Sequence, residues 1–401
     1  PYHIMQINKL LTAGGIPGFL LIGNTLIYVL FSRQRTTIGA YDEVDNSAIA
    51  FIIYTFICFG FCYKMLFHKK HILFIKSLFL HSPLRWFLLF TILGGISSLW
   101  SVNFALTGYR AFECLTMIML ISALLYQILK KHPPIIAYQW LLLYVAIDIT
   151  IRVINNSRWV PTPLMLLRAS QMLSTIFIFL SIKYSPKWYI TIIIIVFALF
   201  SGSTTSYIGM FAGISGLMYG KLKHQLGYLI LCTMALYCIA FMGLEPFLKK
   251  TIFNQRRQIS LKDTSDRNEI FEKSWKWGIE KPYTGWGFVA GENYLIKEKW
   301  KRVQVSATHN SILSALLGEG FLGAFLILMF LVDTGRLLFK NYIPHSEKPT
   351  WIATYIVCLA HCMGNPSIGT RVGGAWIGVM LVFTTLCSLY IIKSHNTQNT
   401  N

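Results

Sequence analysis

Apolar runs dominate this chain, and short polar turns punctuate them. A helix that crosses a bilayer needs about 20 mainly apolar residues, within a range of roughly 17–25. On that measure candidate spans fall at residues 16–32, 48–66, 86–100, 109–129, 135–151, 164–182, 188–201, 205–219, 225–244, 310–332, 351–364 and 374–392. The pattern predicts an all-α, polytopic membrane protein with about 12 transmembrane helices. The first apolar stretch reads as a retained span, because the basic region and cleavage site of a signal peptide are missing before it. Ser201-Gly202-Ser203-Thr204-Thr205-Ser206 separates two short runs. These read either as two spans or as two half-crossings meeting at a polar turn.

The apolar rhythm breaks once at length. Residues 245–306 are polar and divide the chain into 1–244 with the first nine spans, the insert itself, and 307–401 with the last three spans and a tail. Inside the insert, Asp266 reads as a helix N-cap and Glu269 completes a capping box. Ile270, Phe271, Trp275 and Trp277 then predict a short amphipathic helix lying on the surface.

Composition agrees with a membrane setting. Of the residues, 54% are hydrophobic and only 13% charged, and mean hydropathy is +0.53. Soluble domains carry about 25% charged residues. Net charge is +20, from 36 Lys+Arg against 16 Asp+Glu. A nucleic-acid surface is a poor account, since the basic residues are scattered among apolar spans and no reading module appears. Topology explains most of the charge. Lys64, Lys69, Lys70, Lys76 and Arg85 share one connection; Lys130 and Lys131, Lys183 and Lys187, Lys221 and Lys223, and Arg336, Lys340 and Lys348 fill four more. With these spans all five connections fall on one side, which the positive-inside rule makes cytoplasmic, together with both termini. Arg33 and Arg35 are the short-loop exception. The insert then faces outward, yet it holds 13 Lys+Arg against 8 Asp+Glu. Long loops translocate regardless of charge, so its basicity needs another cause, such as an anionic substrate.

The candidate chemistry gathers on that outer side. Arg257, Arg267, His309 and Arg371 map there, with Arg110 just inside the fourth span and Arg168 just inside the sixth. Snorkelling to lipid headgroups or structural ion pairing accounts for any single one. Their convergence points to an anion site, because the guanidinium fork suits phosphate. Arg267 stands near the start of the predicted amphipathic helix, where the macrodipole adds positive potential. His309 opens a span, and a neutral imidazole there can accept a proton from an attacking hydroxyl; the bland alternative is a structural histidine. Gly318, Gly320 and Gly323 read as close helix packing. Glu113, Asp148, Glu319 and Asp333 lie in or near spans and support the rival reading of a proton-coupled transporter, although Asp333 and Arg336 also read as an interfacial pair. All eight cysteines lie in apolar segments, so no disulfide framework is implied. Cys358, His361 and Cys362 share one helical turn, but buried cysteines are more often small hydrophobes, and no metal site is expected. Walker A and HExxH motifs are missing, so energy must come from the substrate or from a gradient.

Three stretches resemble the O-antigen ligase and polymerase family of bacterial envelope enzymes. Asp266-Arg267, Trp275, Lys281-Pro282 and Gly285-Trp286-Gly287 look like the family's Arg, aromatic and Pro-x-x-Gly-x-Gly run in the large loop. Thr308-His309-Asn310 with Gly318, Gly320 and Gly323 is similar to its His-Asn span start. Leu199 to Thr205 looks like its Ser-x-Ser-Arg-Thr turn, with Thr204 where the family has Arg or Lys. The resemblance implies a helical bundle in the bacterial inner membrane with one large periplasmic loop containing short helices and a periplasmic active site. It implies a glycan donor on undecaprenyl pyrophosphate and, as acceptor, lipid A core for a ligase or a lipid-linked glycan for a polymerase. It implies neither nucleotide nor metal cofactor. Arg267 would hold pyrophosphate and His309 would act at the acceptor hydroxyl, with Arg257, Arg168, Arg371 and Arg110 as further substrate contacts. Ligase is the marginal choice, polymerase the alternative, and a transporter or flippase the alternative from another class.

Overall fold

The structure is a computed structural model that describes residues 2–31, 46–157, 213–214, 262–299, 308, 310–340, 342–344, 346–364 and 367–398. Among the described residues all regular secondary structure is helical. The main elements are α1 (Tyr2–Phe31), α2 (Asn46–Leu66), α3 (Lys69–His81), α4 (Leu84–Ile96), α5 (Phe104–Lys131), α6 (Pro134–Ser157), α7 (Lys262–Glu280), α8 (Ala290–Tyr294), α9 (Ser311–Leu337), α10 (Lys348–Gly364) and α11 (Gly374–Gln398). Six of them, α1, α2, α5, α6, α9 and α11, are long and apolar enough to cross a membrane, and α3 with α4 forms a bent candidate for a seventh. The chain is a multi-pass membrane protein. Eight of the spans expected from the apolar pattern coincide with helices; the four between residues 164 and 244 lie, apart from 213–214, outside the described residues.

The connection expected between Lys64 and Arg85 is instead largely helical. α3 is too short and too basic to cross, and with its partner it turns through 91°. Apolar residues at helical spacing explain why it forms: Ile75, Leu78 and Phe79 are buried, whereas Lys69, Lys70 and Lys76 are exposed. Ser82 makes the corner, donating to the Leu78 carbonyl at 2.5 Å and accepting from the Leu84 N–H at 3.2 Å.

α5 is the axis of the bundle and packs against α1, α2, α4, α6 and α11. α4 lies along α9. At one end of this pair Asp333 gathers the Trp86 indole N–H at 2.6 Å, Arg336 at 2.9 Å and Arg85 at 3.5 Å. Phe87, Phe90, Phe330, Phe383 and Trp376 fill the middle with tilted and edge-on ring contacts. At the other end the Trp100 indole donates to the Thr284 carbonyl at 2.7 Å. The insert therefore meets the bundle at the end of α4 opposite its basic cluster.

α9 is broken at Gly320, which sits at φ 71°, ψ −162°. A break in a helix strands carbonyls before it and N–H groups after it, which is costly inside a membrane. The insert supplies the missing partners. Trp286 N–H donates to the Leu317 carbonyl at 2.7 Å, Gly287 N–H to the Gly318 carbonyl at 2.9 Å, and Phe321 N–H to the Pro282 carbonyl at 2.7 Å. The sequence alone suggested helix packing for these glycines; the backbone shows a second reason. A Cβ on Gly320 would lie 2.4 Å from the Pro282 oxygen, and one on Gly285, at φ 63°, would lie 2.5 Å from the α9 backbone. Ser97 accepts from the Phe288 N–H at 3.0 Å and Thr107 donates to the Phe288 carbonyl at 3.1 Å, which locks the segment onto α4 and α5.

Gly320→Ala and Gly285→Ala are expected to lower the unfolding temperature in detergent, each costing at least about 1–3 kcal/mol from the left-handed backbone alone. Gly60→Ala and Gly108→Ala, whose added carbons would meet nothing within 4 Å, should be tolerated. Equal melting of all four variants would contradict a plugged helix break.

Candidate functional site

The site is built around the start of α9. Asn310 caps this helix, its side-chain oxygen accepting from Ile312 N–H at 2.9 Å and Leu313 N–H at 3.1 Å. Its amide nitrogen donates to the Met363 carbonyl at the end of α10, at 3.2 Å. Ser311 Oγ accepts from the N–H groups of Ser367 and Ile368 at 3.1 and 3.2 Å. The segment that carries Arg371 is thus tied to the same helix start.

On the other side stands Glu292 of α8. It is only 4% exposed. Its Oε1 accepts from the Thr308 N–H at 2.6 Å and from the Ser314 hydroxyl at 3.0 Å. Thr308 and Ser314 hydroxyls are 2.8 Å apart, and Thr308 also donates to the Asn310 carbonyl at 3.1 Å. Burial pushes the Glu292 carboxyl above its ordinary value, while the bonds from Thr308 and Ser314 and the positive field of Arg371 oppose the shift. Sequence reasoning gave Glu292 no role. The available signal was a single acid within the otherwise uncharged stretch 282–296.

The expected site residues are distributed unevenly. His309 lies outside the described residues, between Thr308 and Asn310, which are described. Arg257, Arg168 and Thr204 also lie outside them. Arg371 is exposed and acts electrostatically on Glu292. Arg110 is engaged internally, its guanidinium 2.7 Å from the buried Glu113 carboxylate and its charge over the Tyr109 ring. Arg267 lies in α7, but not at the helix start. α7 begins at Lys262, so Asp266 is inside the helix rather than its N-cap, and Glu269 pairs with Lys273 at 3.1 Å. The potential of a helix end fades within its first turn, so the dipole argument for Arg267 weakens. α7 is amphipathic, with Ile270, Ser274 and Trp277 buried and Ile279 exposed, but Trp275, one of the apolar residues that predicted it, is exposed as well.

α7 is joined to the rest of the site by aromatic and cationic contacts. Trp286 donates its indole N–H to the Trp277 carbonyl at 3.1 Å and stacks on Tyr294. Lys281 and Lys299 lie 4.1 and 5.0 Å from the Trp286 ring centre, and Lys299 also pairs with Glu280 at 2.5 Å. Of the acids that suggested proton coupling, Glu113 and Asp333 are ion-paired. Glu319 is buried at the α9 break with neither oxygen hydrogen-bonded. Among the described residues no three His, Cys, Asp or Glu side chains gather as metal ligands.

A carboxyl raised by folding holds its proton more tightly in the folded state. Its contribution favours folding below the unfolded value and is lost as pH rises through the folded value. The melting temperature in detergent is therefore expected to carry a falling component as pH climbs above 4.5, the ordinary carboxyl value. Glu292→Gln should remove that component. The same slope in both proteins would contradict the burial of this acid.

No curated protein matches the chain. Residues 189–328 match the family model described as O-Antigen ligase. The matched stretch includes Arg257, Arg267, the Pro282–Gly287 plug, His309 and the first half of α9, and leaves Arg110, Arg168 and Arg371 outside it. Over residues 189–328 the chain is similar to the O-antigen ligase family.

Proposed function

We propose that the protein transfers a glycan from undecaprenyl pyrophosphate to a sugar hydroxyl at the periplasmic face of the bacterial inner membrane, with lipid A core as the acceptor. The observation that carries this reading is the family match over residues 189–328, which takes in the basic insert and the start of α9 together. Both termini are then cytoplasmic and the insert periplasmic. The glycan–pyrophosphate bond is already activated, so the reaction needs no nucleotide outside the cell membrane.

In this mechanism the acceptor oxygen attacks the anomeric carbon, and the bond from that carbon to the pyrophosphate oxygen breaks. The hydroxyl proton passes to His309, and undecaprenyl pyrophosphate leaves with the bonding electron pair. Arg267, aided by Arg257, Arg168 or Arg371, receives the charge that develops on the diphosphate. A positioned donor of this kind is worth about 10²–10³ in turnover. A general base contributes about 10²–10⁴. Arg110, paired with Glu113, is the weakest of the proposed substrate contacts. Joining of lipid-linked repeat units by the same steps is the second reading, favoured by the shared ligase and polymerase character of the family.

Arg267→Ala and His309→Ala are each expected to lower glycan transfer by at least about 10²-fold, to a small residual rate, while the protein still inserts and accumulates. Envelope glycolipids resolved on a gel from cells lacking the protein separate the two readings. Free lipid-linked polymer beside bare core indicates ligation, and core bearing a single repeat indicates polymerisation. Normal glycolipids in both substituted proteins would overturn the proposal.

A further inference from the structure

The structure ties the two residues that flank the proposed base, and their partners, Met363 and Glu292, lie outside the stretches that carry the family resemblance. Asn310 is held by α10 through the Met363 carbonyl. Thr308 is held by Glu292 through its backbone N–H, at 2.6 Å. A buried hydrogen bond of this kind is shielded from competing water. The same oxygen reaches across to Ser314, one turn into α9, at 3.0 Å. Glu292 thus grips the chain on both sides of residue 309, before it and after it.

Its own placement is well determined. Val289, at φ 58°, turns the chain into α8, and the preceding Gly287 and Phe288 are pinned to α9 and α4. The segment that plugs the α9 break therefore also delivers the acid that holds the α9 start. A Cβ on Gly291 would lie 2.6 Å from the Trp286 side chain, so α8 packs directly on the plug.

We propose that Glu292 is a positioning residue, which holds the start of α9 through the backbone of Thr308 and the hydroxyl of Ser314 so that His309, which lies between those two in sequence, can act as the base. This rests on the proton-accepting role of His309 given under Proposed function. A base moved by even 1 Å from its acceptor can lose about 10² in rate. The effect belongs to turnover, because Glu292 is buried and offers the substrate no contact.

The test is transfer by purified full-length protein in detergent, with lipid-linked donor and glycolipid acceptor. Glu292→Ala is expected to lower kcat by about 10²-fold with KM unchanged. Glu292→Gln keeps a carbonyl oxygen that can accept both bonds and should recover most of the turnover. In a His309→Ala background, Glu292→Ala should have no further effect on the residual rate. Wild-type kcat in Glu292→Ala, with His309→Ala inactive, overturns the positioning role and leaves the function intact. Gln as poor as Ala, or an undiminished loss in the His309→Ala background, overturns it too. Wild-type turnover in His309→Ala removes the role of His309, and the proposal with it. If Glu292→Ala fails to accumulate, Ser314→Ala decides: a loss of kcat alone supports the proposal, and wild-type kcat overturns it.

Discussion

The structure depends on a helix break that another part of the chain repairs. Gly320 interrupts α9, and the Pro282–Gly287 segment replaces the backbone hydrogen bonds the break removes. Inside a membrane such bonds are obligatory, so the insert is a structural part of the bundle rather than an appendage. Two glycines at positive φ, Gly285 and Gly320, are needed at this contact because side chains there would collide with backbone. The interaction gives a physical meaning to the Pro-x-x-Gly-x-Gly pattern: it is a peptide shaped to lie against an opened helix.

From that contact the functional arrangement follows. The plug continues directly into α8, and α8 places Glu292 beneath the start of α9. α10 and the segment after it reach the same place through Met363, Ser367 and Ile368. Residues far apart in the chain are thereby fixed around the start of α9, and the segment carrying Arg371 is tied there by the same connection. Charges deeper in the bundle are mostly settled within the protein, as the Arg110–Glu113 and Asp333 pairs show. Glu319 is buried against Gly94 and Gly323 at the break, with neither carboxyl oxygen hydrogen-bonded.

Much of this was legible from the apolar pattern. Eight helices were placed because a run of about 20 apolar residues has few alternatives to a helix, and six helices are long and apolar enough to cross a membrane. The pairing of Asp333 with Arg336 followed from helical spacing, although Arg85 and Trp86 joined it only in three dimensions. α3 was hidden because lysines mark a connection, and its buried face shows only as Ile75, Leu78 and Phe79. The start of α7 was misjudged because Asp266 is a good cap by residue type, whereas the helix reaches back to Lys262. Gly318 and Gly320 announced close approach, but not that the neighbour would be an irregular strand of the insert. Glu292 was missed because its partners, Thr308 and Ser314, are remote from it in sequence. No periodicity or motif links them.

The central claim is that an activated lipid-linked glycan supplies all the energy for transfer. The most direct measurement is product formation by the purified protein in detergent, given only lipid-linked donor and glycolipid acceptor, without nucleotide and without a membrane gradient. The account predicts steady transfer of glycan to the acceptor and release of undecaprenyl pyrophosphate. Activity that appears only in sealed vesicles under a proton gradient, with glycan moved but never joined to acceptor, would contradict it.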